Sequence, residues 1–74
     1  MSDQQPAATD IVIHELARRF AVGRFGAASS QMMCGTYERA LEIAERYARP
    51  VAVDIWYSDT ETAWRVRRYR PTGA

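Results

Sequence analysis

A chain of 74 residues with a formal net charge of +1 is too short for two domains and lacks the strong positive charge of a general nucleic-acid-binding protein. Apolar residues make up 47% of the chain and eight residues are aromatic, which suffices for one modest hydrophobic core. Domains of this size often gain further burial by self-association, so the composition predicts a homodimer.

The cysteine content and the first residues predict a cytoplasmic protein. Cys34 is the single cysteine, whereas a secreted protein of this length normally relies on several disulfides. Residues 1–10 lack the basic start and the apolar run of a signal peptide, and no apolar stretch is long enough to span a bilayer. All ten basic residues are Arg, which together with abundant Ala is typical of a GC-rich genome.

Residues 1–9 and 71–74 show no hydrophobic periodicity and are predicted to be disordered tails of one domain at residues 10–70. The stretch from Asp10 to Gly23 fits two templates. It could be a helix capped by Thr9, or two strands that turn alternate apolar side chains toward the core. The β-branched run Ile11-Val12-Ile13 favours strands, whereas Glu15-Leu16-Ala17-Arg18 lacks the Gly or Asn of tight hairpin turns. The residues alone leave both templates open.

The clearest element is a helix at residues 37–49. Thr36 provides an N-cap, Glu38 places a negative charge in the first turn, and Pro50 ends the helix. An apolar stripe, widened by Ile43, is predicted to consist of Tyr37, Ala40, Leu41, Ala44, Tyr47 and Ala48. Before the helix, residues 26–30 are predicted to be a loop, and residues 31–34 a short strand or an extended connector.

The pattern after Pro50 predicts a β-hairpin with strands at residues 51–57 and 62–69 and a turn at residues 58–61. The apolar alternation predicts a register in which Ile55 faces Trp64 and Val53 faces Val66. In that register Asp54 also faces Arg65, and Ala52 faces Arg67.

Several short motifs follow one another along the chain: Phe20-Ala21-Val22, Gly26, Ser29-Ser30, Thr36 with Ala40, Ala44 and Ala48, and Val51 with Val53. Their order resembles that of a family of small bacterial proteins of unknown function with a strand-strand-helix-strand-strand fold. The resemblance implies strands between Asp10 and Gly23, although Glu15-Leu16-Ala17-Arg18 replaces the family's polar, Gly-containing turn. The predicted fold is α+β: a small antiparallel sheet of ββαββ order, with or without one extra short strand, packed on the helix at residues 37–49.

Catalytic and metal-binding chemistry finds little support in the sequence. One His and one Cys with scattered carboxylates do not form a zinc-ligand pattern, and the Gly residues are too dispersed for a phosphate-binding loop. His14 and Cys34 would need an accident of tertiary structure to form a nucleophile–base pair. The sequence therefore predicts no enzymatic activity, no metal site and no cofactor.

One constellation suggests a binding surface. The predicted register places aromatic and basic side chains on the side of the C-terminal hairpin opposite Ile55, Trp64 and Val66. The candidate residues for partner or nucleic-acid binding are Trp56, Arg65, Arg67, Arg68, Tyr69 and Arg70. Arg side chains pair with phosphates and stack on aromatic rings, and exposed aromatic rings on a sheet stack with unpaired bases.

Two functional hypotheses follow from these observations. The first is a non-enzymatic protein-interaction or regulatory module that self-associates or binds a protein partner, since Trp, Tyr and Arg anchor many interfaces. The alternative is a nucleic-acid-binding accessory domain that uses the Arg and aromatic face of the hairpin. Neither hypothesis involves a membrane or a small-molecule cofactor.

Overall fold

The computed structural model describes residues 6–26, 31–59 and 61–71, in which five strands and one helix form an α+β fold. The elements are β1 (Ile11–Leu16), β2 (Arg19–Arg24), β3 (Met32–Cys34), α1 (Tyr37–Ala48), a short 3-10 helix (Arg49–Val51), β4 (Ile55–Ser58) and β5 (Ala63–Arg67). The strand order across the sheet is β3-β2-β1-β4-β5. The predicted fold class and element order, with one extra short strand before the helix, are confirmed.

The two central strands, β1 and β4, pair in parallel, whereas the other three strand pairs are antiparallel. The sheet is therefore mixed, and the prediction of a wholly antiparallel sheet was wrong at this one pair. The reason is the connection: after β3 the chain crosses the sheet through α1 and enters β4 in the same direction as β1, as parallel pairing requires.

The strand interpretation of residues 10–23 is confirmed, and β1 and β2 form a hairpin with a two-residue turn. Leu16 pairs with Arg19, which leaves Ala17 and Arg18 in the turn. Ala17 has a φ of 52°, in the left-handed region that Gly and Asn adopt with least strain. The hairpin thus forms without the expected turn residue because strand pairing holds Ala17 in an unfavourable conformation.

Replacing Ala17 with Gly is expected to raise the free energy of unfolding by about 0.5–1 kcal/mol, because Gly removes the steric cost of the positive φ. Urea-induced unfolding measures the change. Arg18→Gly is the matched control at the neighbouring turn position, where φ is not positive. It should be neutral or destabilising, since it adds only unfolded-state entropy. Equal stabilisation by both variants would contradict the account.

Helix α1 covers one face of the sheet, and the hydrophobic core lies between them. The helix contributes Ala40, Ile43, Ala44 and Ala48 to this core, and the sheet side contributes Ile11, Ile13, Val22, Cys34, Val53 and Ile55. Three of the four helix residues are Ala, so the helix backbone can lie close to the sheet. The Thr36 hydroxyl accepts a hydrogen bond from the Arg39 amide at 3.1 Å, which confirms the predicted N-cap. Tyr47, which belongs to the predicted apolar stripe, is half-exposed and lies at the edge of the buried face.

The β4–β5 hairpin is confirmed, but β4 begins at Ile55 and not at residue 51 as predicted, because the 3-10 helix extends to Val51. The predicted register was also wrong by two residues. Trp64 pairs with Tyr57 rather than Ile55, and a bulge between Ile55 and Trp56 shifts the pairing further along the strands. A shift of two preserves which side chains share a face, because side chains alternate with a period of two. It nevertheless moves Trp64 away from the middle of the helix, and the side chain is 45% exposed.

The segments next to the sheet are tied to it by hydrogen bonds. The Thr9 amide donates to the Phe25 carbonyl at 3.3 Å, and the Ala7 amide donates to the Asp10 carboxylate at 3.0 Å. Part of the predicted 1–9 tail therefore contacts the domain. The rest of that tail (1–5), most of the predicted loop (27–30), Thr60 of the predicted turn and residues 72–74 lie outside the described residues.

Candidate functional site

Trp56, the expected stacking residue of the outer hairpin face, is only 2% exposed. It points away from the helix, as predicted, because it neighbours Ile55 in a strand and pairs with Val12 of β1. The prediction that it offers an exposed ring was wrong. Its indole Nε1 donates a hydrogen bond to the Asp10 carboxylate at 3.0 Å.

Asp10 explains why Trp56 is buried. Its carboxylate is 1% exposed and accepts hydrogen bonds from the amides of Ala7 and Asp54 and from the Arg70 guanidinium as well as from Trp56. A buried carboxylate is tolerated when several donors satisfy it, and these donors come from both ends of the domain. Asp10 therefore joins the N-terminal segment, β4 and the C-terminal segment over the face of the sheet opposite α1.

A second buried carboxylate, Asp54, anchors the C-terminal segment. Its Oδ1 accepts hydrogen bonds from the backbone amides of Tyr69 and Arg70 at 2.9 and 2.8 Å. Its Oδ2 lies 3.1 Å from Nε of Arg65, whose guanidinium is stacked 4.8 Å from the centre of the Trp56 ring. The predicted Asp54–Arg65 contact thus occurs despite the incorrect register. The Arg65 guanidinium is thus held within the chain by an ion pair with a carboxylate and by contact with an aromatic ring.

The remaining residues of the predicted surface do not form one exposed platform. Arg67 lies on the helix side, because the bulge turns it toward Glu45, to which its Nε donates at 3.0 Å. Tyr69 packs against the core and its hydroxyl accepts a hydrogen bond from Arg49 at 3.3 Å. Arg68 is exposed. A contiguous Arg and aromatic surface around Trp56, as the sequence predicted, is therefore not present.

The Asp10 carboxylate makes the stability of the protein sensitive to acid. Burial opposes its ionisation, but the hydrogen bonds from Arg70, the Ala7 and Asp54 amides and Trp56 together lower the pKa of Asp10 below its ordinary value of 3.8. Its stabilising contribution is complete above the unfolded-state pKa and disappears as the pH falls through the lower folded-state pKa. We expect the free energy of unfolding, measured in urea, to fall between pH 5 and pH 3. The decrease should be smaller in Asp10→Asn, and equal decreases would contradict this assignment.

The most distinctive concave surface lies on the other face of the sheet, beside the first turn of α1. We call it the aromatic cleft; it measures about 380 Å³ and is lined by Glu15, Phe20, Tyr37, Tyr57, Asp59 and Trp64. Strand pairing brings these residues together: Glu15 pairs with Phe20, and Tyr57 pairs with Trp64. Tyr37 is the first residue of α1, and Asp59 follows β4.

The four rings of the aromatic cleft contact one another without stacking in parallel. The centroids of Tyr57 and Trp64 are 5.0 Å apart, and those of Tyr37 and Tyr57 are 5.4 Å apart. Phe20 and Tyr37 meet edge to face, with an angle of 69° between their planes. Because Phe20, Tyr37 and Tyr57 also pack against the core, the positions of these three rings are fixed by the fold.

The charge of the aromatic cleft is negative, since among the described residues Glu15 and Asp59 are the ionisable ones that line it besides the tyrosines. The Tyr57 hydroxyl donates to Glu15 Oε1 at 2.8 Å. Burial of the phenol, the hydrogen bond to Glu15 and the nearby carboxylates raise the pKa of Tyr57 to about 12. Tyr57 therefore stays protonated at neutral pH and holds the Glu15 carboxylate in place. Aromatic faces next to carboxylates attract cations that carry apolar groups.

The aromatic cleft was not predicted, because its six residues come from five separate parts of the chain. The one available signal was the register of the C-terminal hairpin, since the pairing of Tyr57 with Trp64 places two of its rings side by side. The role of Asp10 as a buried hydrogen-bond acceptor was also missed, because nothing in the sequence indicates that a single Asp before a strand will be buried.

Comparison of the chain with protein-family models, curated proteins and solved structures returned no significant match. The resemblance to a family of small bacterial proteins stays a prediction.

Within residues 6–26, 31–59 and 61–71, no three His, Cys, Asp or Glu side chains are grouped so that they could hold a metal ion. In the same part of the chain, α1 is too short and too polar to cross a membrane.

Proposed function

We propose that the chain is a non-enzymatic protein-interaction module, and that its aromatic cleft receives a segment of a partner protein that carries basic side chains. The observation that carries the proposal is the convergence of four aromatic rings and two carboxylates in one concave site, with Trp64 45% exposed. Large aromatic side chains in pockets supply much of the binding energy in protein interfaces, and Trp and Tyr are the residues most enriched there.

The charge of the aromatic cleft selects among partners. Glu15 and Asp59 favour a basic segment and oppose the approach of a phosphate backbone. On the opposite face, Arg65 and Arg70 are already paired with Asp54 and Asp10. Binding to a protein segment is therefore favoured over the alternative hypothesis of nucleic-acid binding, which a titration with single-stranded RNA tests directly.

The chemistry of the aromatic cleft supports binding without catalysis. Tyr57 is a partly buried ionisable group of this cleft, and a phenol with a pKa of about 12 is a poor base or nucleophile at neutral pH. The Glu15 carboxylate already accepts a hydrogen bond from that phenol. Both groups are thus positioned to hold a ligand by charge and hydrogen bonding.

Selection from a random-peptide phage library against the immobilised wild-type protein tests the proposal. We expect clones that lose at least about tenfold in affinity for the Trp64→Ala variant, because truncating an anchoring aromatic residue costs about 2 kcal/mol or more. Tyr47→Ala is the matched control, since Tyr47 is 48% exposed and lies near the other end of α1. It should leave binding unchanged.

Two results would overturn the proposal. One is a set of clones that bind Trp64→Ala as tightly as wild type, which would place the binding surface elsewhere. The other is a concentration-dependent burial of Trp64 in the protein alone, measured by acrylamide quenching. That result would show that a second copy of the chain occupies the aromatic cleft, as in the homodimer that the composition predicts.

A further inference from the structure

We infer that the group bound in the aromatic cleft is the guanidinium of an arginine side chain from the partner protein. This inference rests on the proposed function and identifies the chemistry that gives the site its specificity. The aromatic cleft combines the two features that a guanidinium uses, an aromatic face for stacking and a carboxylate for hydrogen bonding.

The same combination occurs within this fold with its arginine present. On the opposite face of the sheet, the Arg65 guanidinium lies 4.8 Å from the centre of the Trp56 ring and its Nε is 3.1 Å from the Asp54 carboxylate. The aromatic cleft has a Trp next to a Tyr and two carboxylates, and no basic residue from the part of the chain that the structure describes lines it. The partner would supply the guanidinium that Arg65 supplies at Trp56.

A second pair in the chain follows the same arrangement. The Arg49 guanidinium lies 5.7 Å from the centre of the Tyr69 ring and 3.8 Å from the Glu45 carboxylate. In both internal examples the cation is an arginine that contacts a ring and an acid together. Since every basic residue of the chain is Arg, these contacts show that a guanidinium fits such a ring-and-acid site, and the aromatic cleft offers the same groups to solvent.

The geometry of the aromatic cleft favours a guanidinium over the ammonium of a lysine. The planes of Tyr37 and Tyr57 meet at 68°, and those of Tyr57 and Trp64 at 35°, so the lining rings are oriented in more than one direction. A planar guanidinium stacks on one such face while its edge donates to a carboxylate. It is also less strongly hydrated than an ammonium, so transferring it into a partly apolar cleft costs less.

Glu15 is the acid best placed to receive those donors. Its Oε1 accepts from the Tyr57 hydroxyl at 2.8 Å, which orients the carboxylate next to the rings. Replacing Glu15 with Gln keeps a carbonyl acceptor for Tyr57 and removes the negative charge. Loss of arginine binding in this variant would therefore report on charge, with the shape of the aromatic cleft preserved.

The test titrates ¹⁵N-labelled protein with the blocked pentapeptide Ac-Gly-Gly-Arg-Gly-Gly-NH2 and with the same peptide carrying citrulline, a neutral isostere of arginine, or lysine. The two indole N–H resonances separate the aromatic cleft (Trp64) from the buried site (Trp56). We expect the arginine peptide to shift the Trp64 resonance and to bind about tenfold more tightly than the citrulline peptide, with lysine between them. Glu15→Gln should remove most of that difference, and the control Glu42→Gln, an exposed acid on α1, should not.

Three results would overturn the inference: equal binding of the arginine and citrulline peptides, tighter binding of the lysine peptide, or arginine binding that leaves the Trp64 resonance in place. Failure of the inference is distinguishable from failure of the proposed function. Phage clones that depend on Trp64 but contain no enriched arginine and tolerate Glu15→Gln would remove only the arginine assignment. A selection without Trp64-dependent clones would remove the proposed docking site itself.

Discussion

Replacement of Asp10 by Ala is expected to lower the free energy of unfolding by about 3–5 kcal/mol. The substitution removes the acceptor of four donors at once: two backbone amides, the Trp56 indole and the Arg70 guanidinium. Each buried donor left without a partner carries the cost of its lost hydration, and the Arg70 charge loses its counter-ion. Since a domain of this length is stable by only about 4–11 kcal/mol, much or all of the folded population would be lost.

Urea unfolding followed by circular dichroism measures the effect of Asp10→Ala. Glu45→Ala is the matched control, because Glu45 also binds an arginine of the C-terminal region, at 3.0 Å from Arg67, but in a more exposed pair. That variant should change stability by less than about 1 kcal/mol. If the two variants were equally destabilised, the buried hydrogen bonds of Asp10 would contribute no more to the free energy of unfolding than an exposed ion pair does.

Replacement of Val53 by Asp is expected to destabilise the protein by about 4 kcal/mol or more, enough to prevent folding in most conditions. Val53 is 4% exposed and lies in the core beneath α1, and its amide donates to the Ala48 carbonyl at 3.2 Å. The substitution would remove apolar burial and place an unpaired carboxylate in the interior. Thermal unfolding of the purified variant measures the loss.

Val51→Asp is the matched control for Val53→Asp. The two residues are of the same type and two positions apart, but Val51 is 59% exposed. The expected change is within about 0.5 kcal/mol, as for most surface substitutions. A well-folded Val53→Asp, or two variants with the same melting temperature, would contradict the packing of the core described here.

The local patterns of the sequence predicted the helix and the strands well because each depends on near neighbours. Thr36 and Pro50 bracket α1, and the β-branched run at Ile11 marks β1. The register of β4 and β5 was harder, since a shift of two residues keeps the same alternation of faces. The bulge after Ile55 adds a further offset, and a bulge has no fixed sequence signature.

The exposure of individual side chains could not be predicted from alternation alone. Trp56 and Trp64 were assigned to the correct sides of the hairpin. However, Trp64 was expected to be buried and is exposed, whereas Trp56 was expected to be exposed and is buried. Trp56 is covered through Asp10 and Arg70, which are distant in sequence. Trp64 is uncovered because the true register places it beside Tyr57 at the rim of the aromatic cleft. Both outcomes depend on long-range contacts.

The role of the aromatic cleft as the docking site is the central claim, and chemical-shift mapping tests it most directly. A peptide selected on the wild-type protein is titrated into ¹⁵N-labelled protein while backbone and indole resonances are followed. We expect the largest shifts at the residues that line the aromatic cleft: Glu15, Phe20, Tyr37, Tyr57, Asp59 and Trp64. Shifts concentrated instead on the sheet face opposite the helix, at the half-exposed Leu16 and Met33, would contradict it.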